Sequence, residues 1–370
     1  MAEPLKNSFG EDVPVRLADM VEPVYPDFDR PAFLADALAG YEDLELTPRA
    51  RQVSDALAAH LPADPATAVR IVIDSLGDLA DAPELKGMES FIYMPLVFFV
   101  ADHGVDCFEE SMLAQYELTQ RFTAEFSIRA FIERYPDATL QRLREWTGDP
   151  SMHVRRLVSE GTRPRLPWAP RLRGFQEDPS SVLELLEILR DDPEEYVRRS
   201  VANNLNDIAK DHPNVVVDTA ARWWDDGSHN RRRLVRHGLR TLIKQADPGA
   251  LAVLGYDSTS PATIASITCE PASVQIGDKI RIEVSIENPS EEPAGVLADL
   301  KVHFVKANGH AAAKVFKGAE RTIAPRSNTL VRKTISLAQH STRKHYPGEH
   351  RIEVLLNGAL HPGLTFDVIG

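Results

Sequence analysis

HVRRLVSEG (residues 153–161), YVRRSVANNLND (196–207) and NRRRLVRHG (230–238) carry one pattern three times. Aligned on their arginine pairs, they set Arg156 four positions before Glu160, Arg199 four before Asn203 and eight before Asp207, and Arg233 four before His237. Steps of four follow one face of an α-helix, so each set forms a polar stripe. Val154, Leu157, Val158, Val197 and Val201 occupy another face, which can pack. Laid side by side, such helices present arginines and carboxylates on one surface. Arginine suits phosphate, and a carboxylate beside it suits a cationic centre.

The pattern belongs to a longer repeat. Without gaps, YPDATLQRLREWTGDPSMHVRRLVSEG (135–161) lies over HPNVVVDTAARWWDDGSHNRRRLVRHG (212–238), an interval of 77 residues. Pro136 meets Pro213, Trp146 meets Trp223 and Asp149 meets Asp226. With the middle copy between them the unit is about 35 to 43 residues, the range of HEAT and armadillo repeats. DPxxxVR at Asp149–Arg155, approximated around Asp192–Arg198, is HEAT-like, and Arg155 and Arg198 are read as bridges between neighbouring repeats. Residues 50–60, 66–79, 112–122, 180–190 and 215–224 are amphipathic helix candidates, punctuated by prolines such as Pro65, Pro136 and Pro213. Asp-Pro before such a helix reads as N-cap followed by first turn.

Beyond Tyr256 the pattern changes to β-branched residues alternating with polar ones, over 263–268, 279–288, 302–306, 329–337, 349–356 and 364–369. Turn signals lie at Gly277, Asn288-Pro289, Asn308-Gly309, Pro347-Gly348 and Asn357-Gly358. Short strands at this spacing fit an immunoglobulin-like sandwich. The expected architecture is multidomain: an all-α HEAT-like repeat solenoid over 1–258, then an all-β immunoglobulin-like sandwich over 259–370.

With 370 residues, 43% of them hydrophobic, the chain is globular and long enough for two cores. Its net charge of −13 is uneven. Residues 1–120 hold 7 basic and 23 acidic side chains, whereas 121–245 hold 22 and 19. A locally basic surface is therefore compatible with a globally acidic chain. No apolar run reaches membrane-spanning length, the polar opening segment is unlike a secretory leader, and Cys107 and Cys269 are far apart. A reducing cytoplasm is expected.

There is no Gly-rich phosphate loop, HExxH, CxxC or GxSxG, and the histidines do not cluster at ligand spacing. No metal and no cofactor are expected. Glu160 and Asp207 lie on the stripe, and Glu125 is placed on the helix one unit earlier. After Glu160 comes GTRPRLPWAPRLRGF (161–175), which Pro164, Pro167 and Pro170 bar from helix formation. It reads as a stiff basic loop whose arginines can reach phosphates and whose Trp168 can stack on a base or sugar.

LKNSFG (5–10), SEGTRPRLPWAPRL (159–172), VRRSVANNLNDIAKDHP (197–213) and RWWDD (222–226) together resemble the AlkC branch of the AlkC/AlkD alkylpurine DNA glycosylases, bacterial base-excision repair enzymes built from HEAT-like repeats. The resemblance implies excision of N3-methyladenine and N3-methylcytosine from double-stranded DNA. It carries the family's active-site carboxylates onto Glu125, Glu160 and Asp207 and its tryptophan onto Trp168. Such a site would stabilise an oxocarbenium-like sugar and position a water. Arg156, Arg163, Arg165, Arg199 and Arg233 are the expected phosphate contacts, joined by Arg343 and Lys344 from a basic hairpin loop (340–348) of the sandwich. The chain is expected to act as a monomer. The alternative is a non-enzymatic HEAT scaffold that binds a partner through its groove.

Overall fold

The computed structural model describes residues 5–82, 85, 87–256, 260–339 and 344–370. The expected boundary at 258/259 and Arg343 lie outside the described residues. The chain divides into two compact units, one of residues 1–211 with 228–238, the other of 212–227 with 239–370.

In the first unit the helices are α1 (Asp12–Val21), α2 (Arg30–Leu38), α3 (Leu46–His60), α4 (Pro65–Ser75), α5 (Met94–His103), α6 (Phe108–Arg121), α7 (Ile128–Arg134), α8 (Pro136–Trp146), α9 (Met152–Gly161), α10 (Arg173–Glu177), α11 (Ser180–Leu189) and α12 (Glu195–Ile208). Next come α13 (Pro213–Asp225), in the second unit, and α14 (His229–Gly238), in the first. The pairs α8–α9 and α11–α12 stack like on like: α8 packs on α11 and α9 on α12, and α12 then packs on α14. Repetition of one hairpin is what the 77-residue self-similarity requires. Leu157, Val158, Val197, Val201 and Val235 are fully buried at these contacts, each contributing roughly 1.5–3 kcal/mol by leaving water. No helix among the described residues is long and apolar enough to cross a membrane.

The Asp-Pro signal divides into two devices. Asp64 caps α4 by accepting from the Thr67 N–H at 3.0 Å, with Pro65 in the first turn. In the repeats, Asp149 and Asp192 instead accept from the N–H two residues on, Ser151 at 2.7 Å and Glu194 at 2.9 Å, and the helix starts later. These Asx turns leave Asp192 to take both Arg155 bonds, Nε to Oδ2 at 2.6 Å and Nη2 to Oδ1 at 3.1 Å. Arg155 thus links one repeat to the next, as expected. Arg198, expected to bridge in the same way, instead donates to the Asp192 and Pro193 carbonyls just before its own helix, so among the described residues it braces its own repeat.

The second unit adds α15 (Arg240–Lys244), α16 (Pro248–Val253) and the strands β1 (Thr263–Glu270), β2 (Ser273–Gln275), β3 (Lys279–Asn288), β4 (Ala294–Val305), β5 (Ala311–Ile323), β6 (Ser327–Ser336), β7 (Gly348–Leu356) and β8 (Ala359–Ile369). They form a sheet β1-β3-β6 and a sheet β2-β8-β7-β4-β5. Alternating residues such as Ile280, Ile282, Val284 and Ile286 meet Val302, Ile352 and Val354 in one core. The sequence reading misses β5, whose AAAKVFKGAERTI lacks alternation because most of the strand is exposed. It also misses the three-residue β2. Asn357 (φ 48°) and Gly358 (φ 81°) make the two-residue β7–β8 turn with both centres left-handed.

Candidate active site

Arg156 and Glu160 leave α9 on the same face, with Nη2 and Oε2 3.7 Å apart. Arg156 Nη1 also meets Glu125 Oε2 at 2.6 Å. The placement of Glu125 on a helix is corrected: it lies in the turn between α6 and α7. Thr123 causes this, since its hydroxyl accepts from the Glu125 N–H at 3.3 Å and donates to Glu125 Oε2 at 2.8 Å. A hydroxyl that captures local backbone in this way competes with helix.

Arg163, just past the end of α9, extends the chain of charge. Its Nη1 donates to Glu160 Oε1 at 2.5 Å and its Nε to Asp207 Oδ2 at 2.8 Å. Lys210 closes the line on Asp207 Oδ1 at 2.8 Å. Ser200 donates to Glu160 Oε2 at 2.6 Å. The order Glu125–Arg156–Glu160–Arg163–Asp207–Lys210 alternates sign at every step, so it brings the three expected carboxylates together.

The carboxylates differ in access. Side-chain exposure falls from 14% for Glu125 to 7% for Glu160 and 2% for Asp207. Both oxygens of Glu160 and of Asp207 are engaged, whereas Glu125 Oε1 has no partner among the described residues. An isolated buried carboxylate would be several kcal/mol unfavourable, and pairing offsets this. The reciprocal effect falls on the cations. Burial alone would lower Arg156 and Arg163, but Glu125 and Glu160 outweigh it at Arg156, and Glu160 and Asp207 at Arg163. Both guanidiniums are held above the ordinary arginine value.

This geometry places the five arginines expected at phosphates in different surroundings. Arg156 and Arg163 are tied into the carboxylate chain, and Arg165 holds Asp211 with two bonds of 2.9 and 2.5 Å. Arg233 pairs with Glu195 at 3.1 Å, but both are exposed, so that pair exchanges readily with another anion. Arg199 is exposed on α12 and has no hydrogen-bond or ion-pair partner among the described residues. In the sandwich, Lys344 is exposed, but its neighbour His345 is buried against Phe304, so the expected basic loop is not basic surface throughout. Arg326, Arg332 and Arg351 pair with Glu291, Glu283 and Glu353.

Trp168 stands at the tip of the Pro-rich loop, 69% exposed, with a left-handed backbone (φ 65°). For a bulky residue that conformation is strained by about 1–3 kcal/mol, and such strain collects at functional positions. Arg129 of α7, whose role the sequence did not disclose, secures this loop. It is 4% exposed and donates to the carbonyls of Gly161 (3.2 Å), Arg163 (2.8 Å) and Pro170. Burial pulls its pKa down to about 10, so it remains a cation at neutral pH. Tyr196, also unforeseen, has its ring centroid 5.3 Å from the Arg156 guanidinium carbon and 5.9 Å from the His153 ring.

Comparison with known proteins agrees with this picture at the level of family. The family profile described as DNA alkylation repair enzyme matches residues 119–242, and that of the YhaZ C-terminal Ig-like domain matches residues 263–370. An uncharacterized Bacillus subtilis protein, YhaZ, is 34% identical over 98% of this chain and 99% of its own. The Pseudomonas fluorescens alkylpurine DNA glycosylase AlkC, solved bound to DNA containing an abasic site analog, is 34% identical over 100% of both chains with a TM-score of 0.87. The chain belongs to the AlkC branch of the HEAT-repeat alkylpurine DNA glycosylases. The stretch of this AlkC-branch chain that matches the repair-enzyme profile contains the whole charged line from Glu125 to Lys210.

Proposed function

We propose that this chain hydrolyses the N-glycosidic bond of N-alkylated bases, N3-methyladenine and N3-methylcytosine, in double-stranded DNA. It does so as a monomer, with residues 1–258 carrying the chemistry. The observation that carries this reading is the meeting of Glu125, Glu160 and Asp207 in one ion-paired line. The relative's complex with DNA supports DNA as the partner. A groove binding a protein partner would be apolar or of one sign, which the alternating line is not.

The chemistry follows from the leaving group. A methylated, cationic base departs with the electron pair of the C1′–N bond and becomes neutral. The sugar it leaves has oxocarbenium character and is stabilised by fixed negative charge close by. Glu160 and Asp207, each locked by Arg163, supply that charge without reorganising. Glu125, with its unpartnered Oε1, orients the water and takes its proton as the O–C1′ bond forms. Trp168 packs against the exposed nucleotide. Arg199 and Arg233, with Lys344 and Arg343 of the sandwich, contact phosphates, while Arg156 and Arg163 aim the carboxylates and Arg165 braces the loop through Asp211.

The test is single-turnover excision from duplex DNA carrying N3-methyladenine, with EDTA present. Glu125→Gln should slow excision by about 10²–10³-fold while duplex affinity stays near wild type. Asp207→Asn and Glu160→Gln should each slow it at least about tenfold. Wild-type rates in all three variants would remove the carboxylates from the mechanism.

A further inference from the structure

Beside the charged line, the first unit has a groove of about 630 Å³ where α7 and the start of α8 face the end of the Pro-rich loop. Ile132, Pro136, Leu172 and Phe175 give it an apolar floor. Arg171 and Arg173 line it too, both exposed and with no hydrogen-bond or ion-pair partner for either side chain among the described residues. Their guanidiniums contrast with those of Arg156, Arg163 and Arg165 in the same region, each bound to a carboxylate. Glu133, also exposed, is the acidic group on the opposite wall.

We infer that this groove is a backbone subsite for one DNA strand, with Arg171 and Arg173 on consecutive phosphates and the apolar floor under the intervening deoxyribose. The inference rests on the glycosylase reading for the identity of the polyanion. Three observations converge on it. First, Leu172 is extended (φ −82°, ψ 93°) and only 3% exposed, so its burial anchors the segment while its two neighbours face outward. Two residues of extended chain advance about 6.6 Å, a step comparable to the spacing of phosphates along a strand. Second, backbone bonds tie the groove to the segment that carries Arg163 of the carboxylate site. Leu172 N–H donates to the Pro164 carbonyl at 3.2 Å, which sets Arg171 and Arg173 beside the backbone of Arg163. Arg129 ties the Arg163 and Pro170 carbonyls to the same helix that forms the far wall. Third, the chemistry is mixed in the way a sugar–phosphate chain is mixed: apolar beneath and cationic at the rim. Phosphate contacts of this kind hold register and carry no sequence information.

The experiment measures equilibrium binding of the full chain to an undamaged duplex across a salt series, and separately single-turnover excision from N3-methyladenine duplex at saturating enzyme. Arg171→Gln with Arg173→Gln should reduce the slope of log affinity against log salt by about 1.8, two phosphates at about 0.9 each, and weaken binding tenfold or more at moderate salt. Excision at saturation should stay within about twofold of wild type. Glu133→Gln should act the other way, tightening binding about two- to threefold at low salt. Wild-type slopes in the double arginine variant, or weaker binding without a change of slope, would overturn the phosphate assignment while leaving the glycosylase reading intact. A wild-type chain that binds duplex with the expected slope yet releases no methylated base would instead overturn the glycosylase reading and leave the subsite standing.

Discussion

Arg163 and Asp207 meet at 2.8 Å although 44 positions separate them in the chain. The contact joins the loop after one repeat to the last turn of the inner helix of the next. It also leaves Arg163 8% exposed, with its other arm on Glu160. A guanidinium so placed orients two carboxylates and is poorly sited to greet a phosphate.

Arg163→Met should therefore destabilise the protein by about 3 kcal/mol, because it takes the shared cation from two buried carboxylates and leaves Asp207 to Lys210 and Glu160 to Ser200 and the more distant Arg156. Excision should fall with it, yet the salt slope of duplex binding should match wild type. Denaturant unfolding and a salt series check the two halves. A double-mutant cycle with Asp207→Asn should show clear coupling, since each change removes the same bond.

Arg129→Met tests the loop staple. Three carbonyls lose their donor, and two of them are buried with it. Amide hydrogen exchange over residues 161–172 should speed up markedly, while exchange in α3 and α4 stays as it was. Exchange unchanged in the loop would mean that the three prolines alone hold it.

Trp168→Asn should raise stability by up to about 1 kcal/mol while lowering excision, because Asn tolerates the left-handed backbone that Trp168 occupies under strain. A variant that is both less stable and fully active would remove Trp168 from the site.

The pH dependence turns on His153. Burial, and then the Arg156 cation, hold its imidazole below the usual histidine value. With the folded pKa depressed, the unfolded chain takes up a proton first on acidification. The stabilisation is then complete above the unfolded pKa of about 6.5 and is lost as pH falls from there through the lower folded value. Melting temperature should drop from pH 7 to pH 5, and His153→Gln should make that drop shallower. His350, buried in the sandwich and shifted the same way, supplies a remainder that survives the substitution.

The repeat hairpins were legible from sequence because helix faces follow spacing, and α9 and α12 carry the stripe where the i, i+4 rule puts it. Six of the strands were legible from alternation, but β5 was not, because an exposed edge strand need not alternate. The three carboxylates could be named from motif resemblance, but their wiring could not. Sequence puts Glu125 on a helix, and a single hydroxyl, on Thr123, decides otherwise. The five arginines look equivalent in sequence, yet two are tied into the carboxylate line and Arg199 has no partner among the described residues.

What the sequence determined by itself was local: which segments coil, which faces are apolar, and where the prolines forbid continuation. The periods of 3.6 and 2 are properties of short backbone stretches, so they survive without a partner. Which arginine answers which acid was decided only by packing, for a guanidinium at one point in the chain chooses among anions some 30 to 45 residues away by distance and loss of water. Neither quantity exists until the hairpins have stacked.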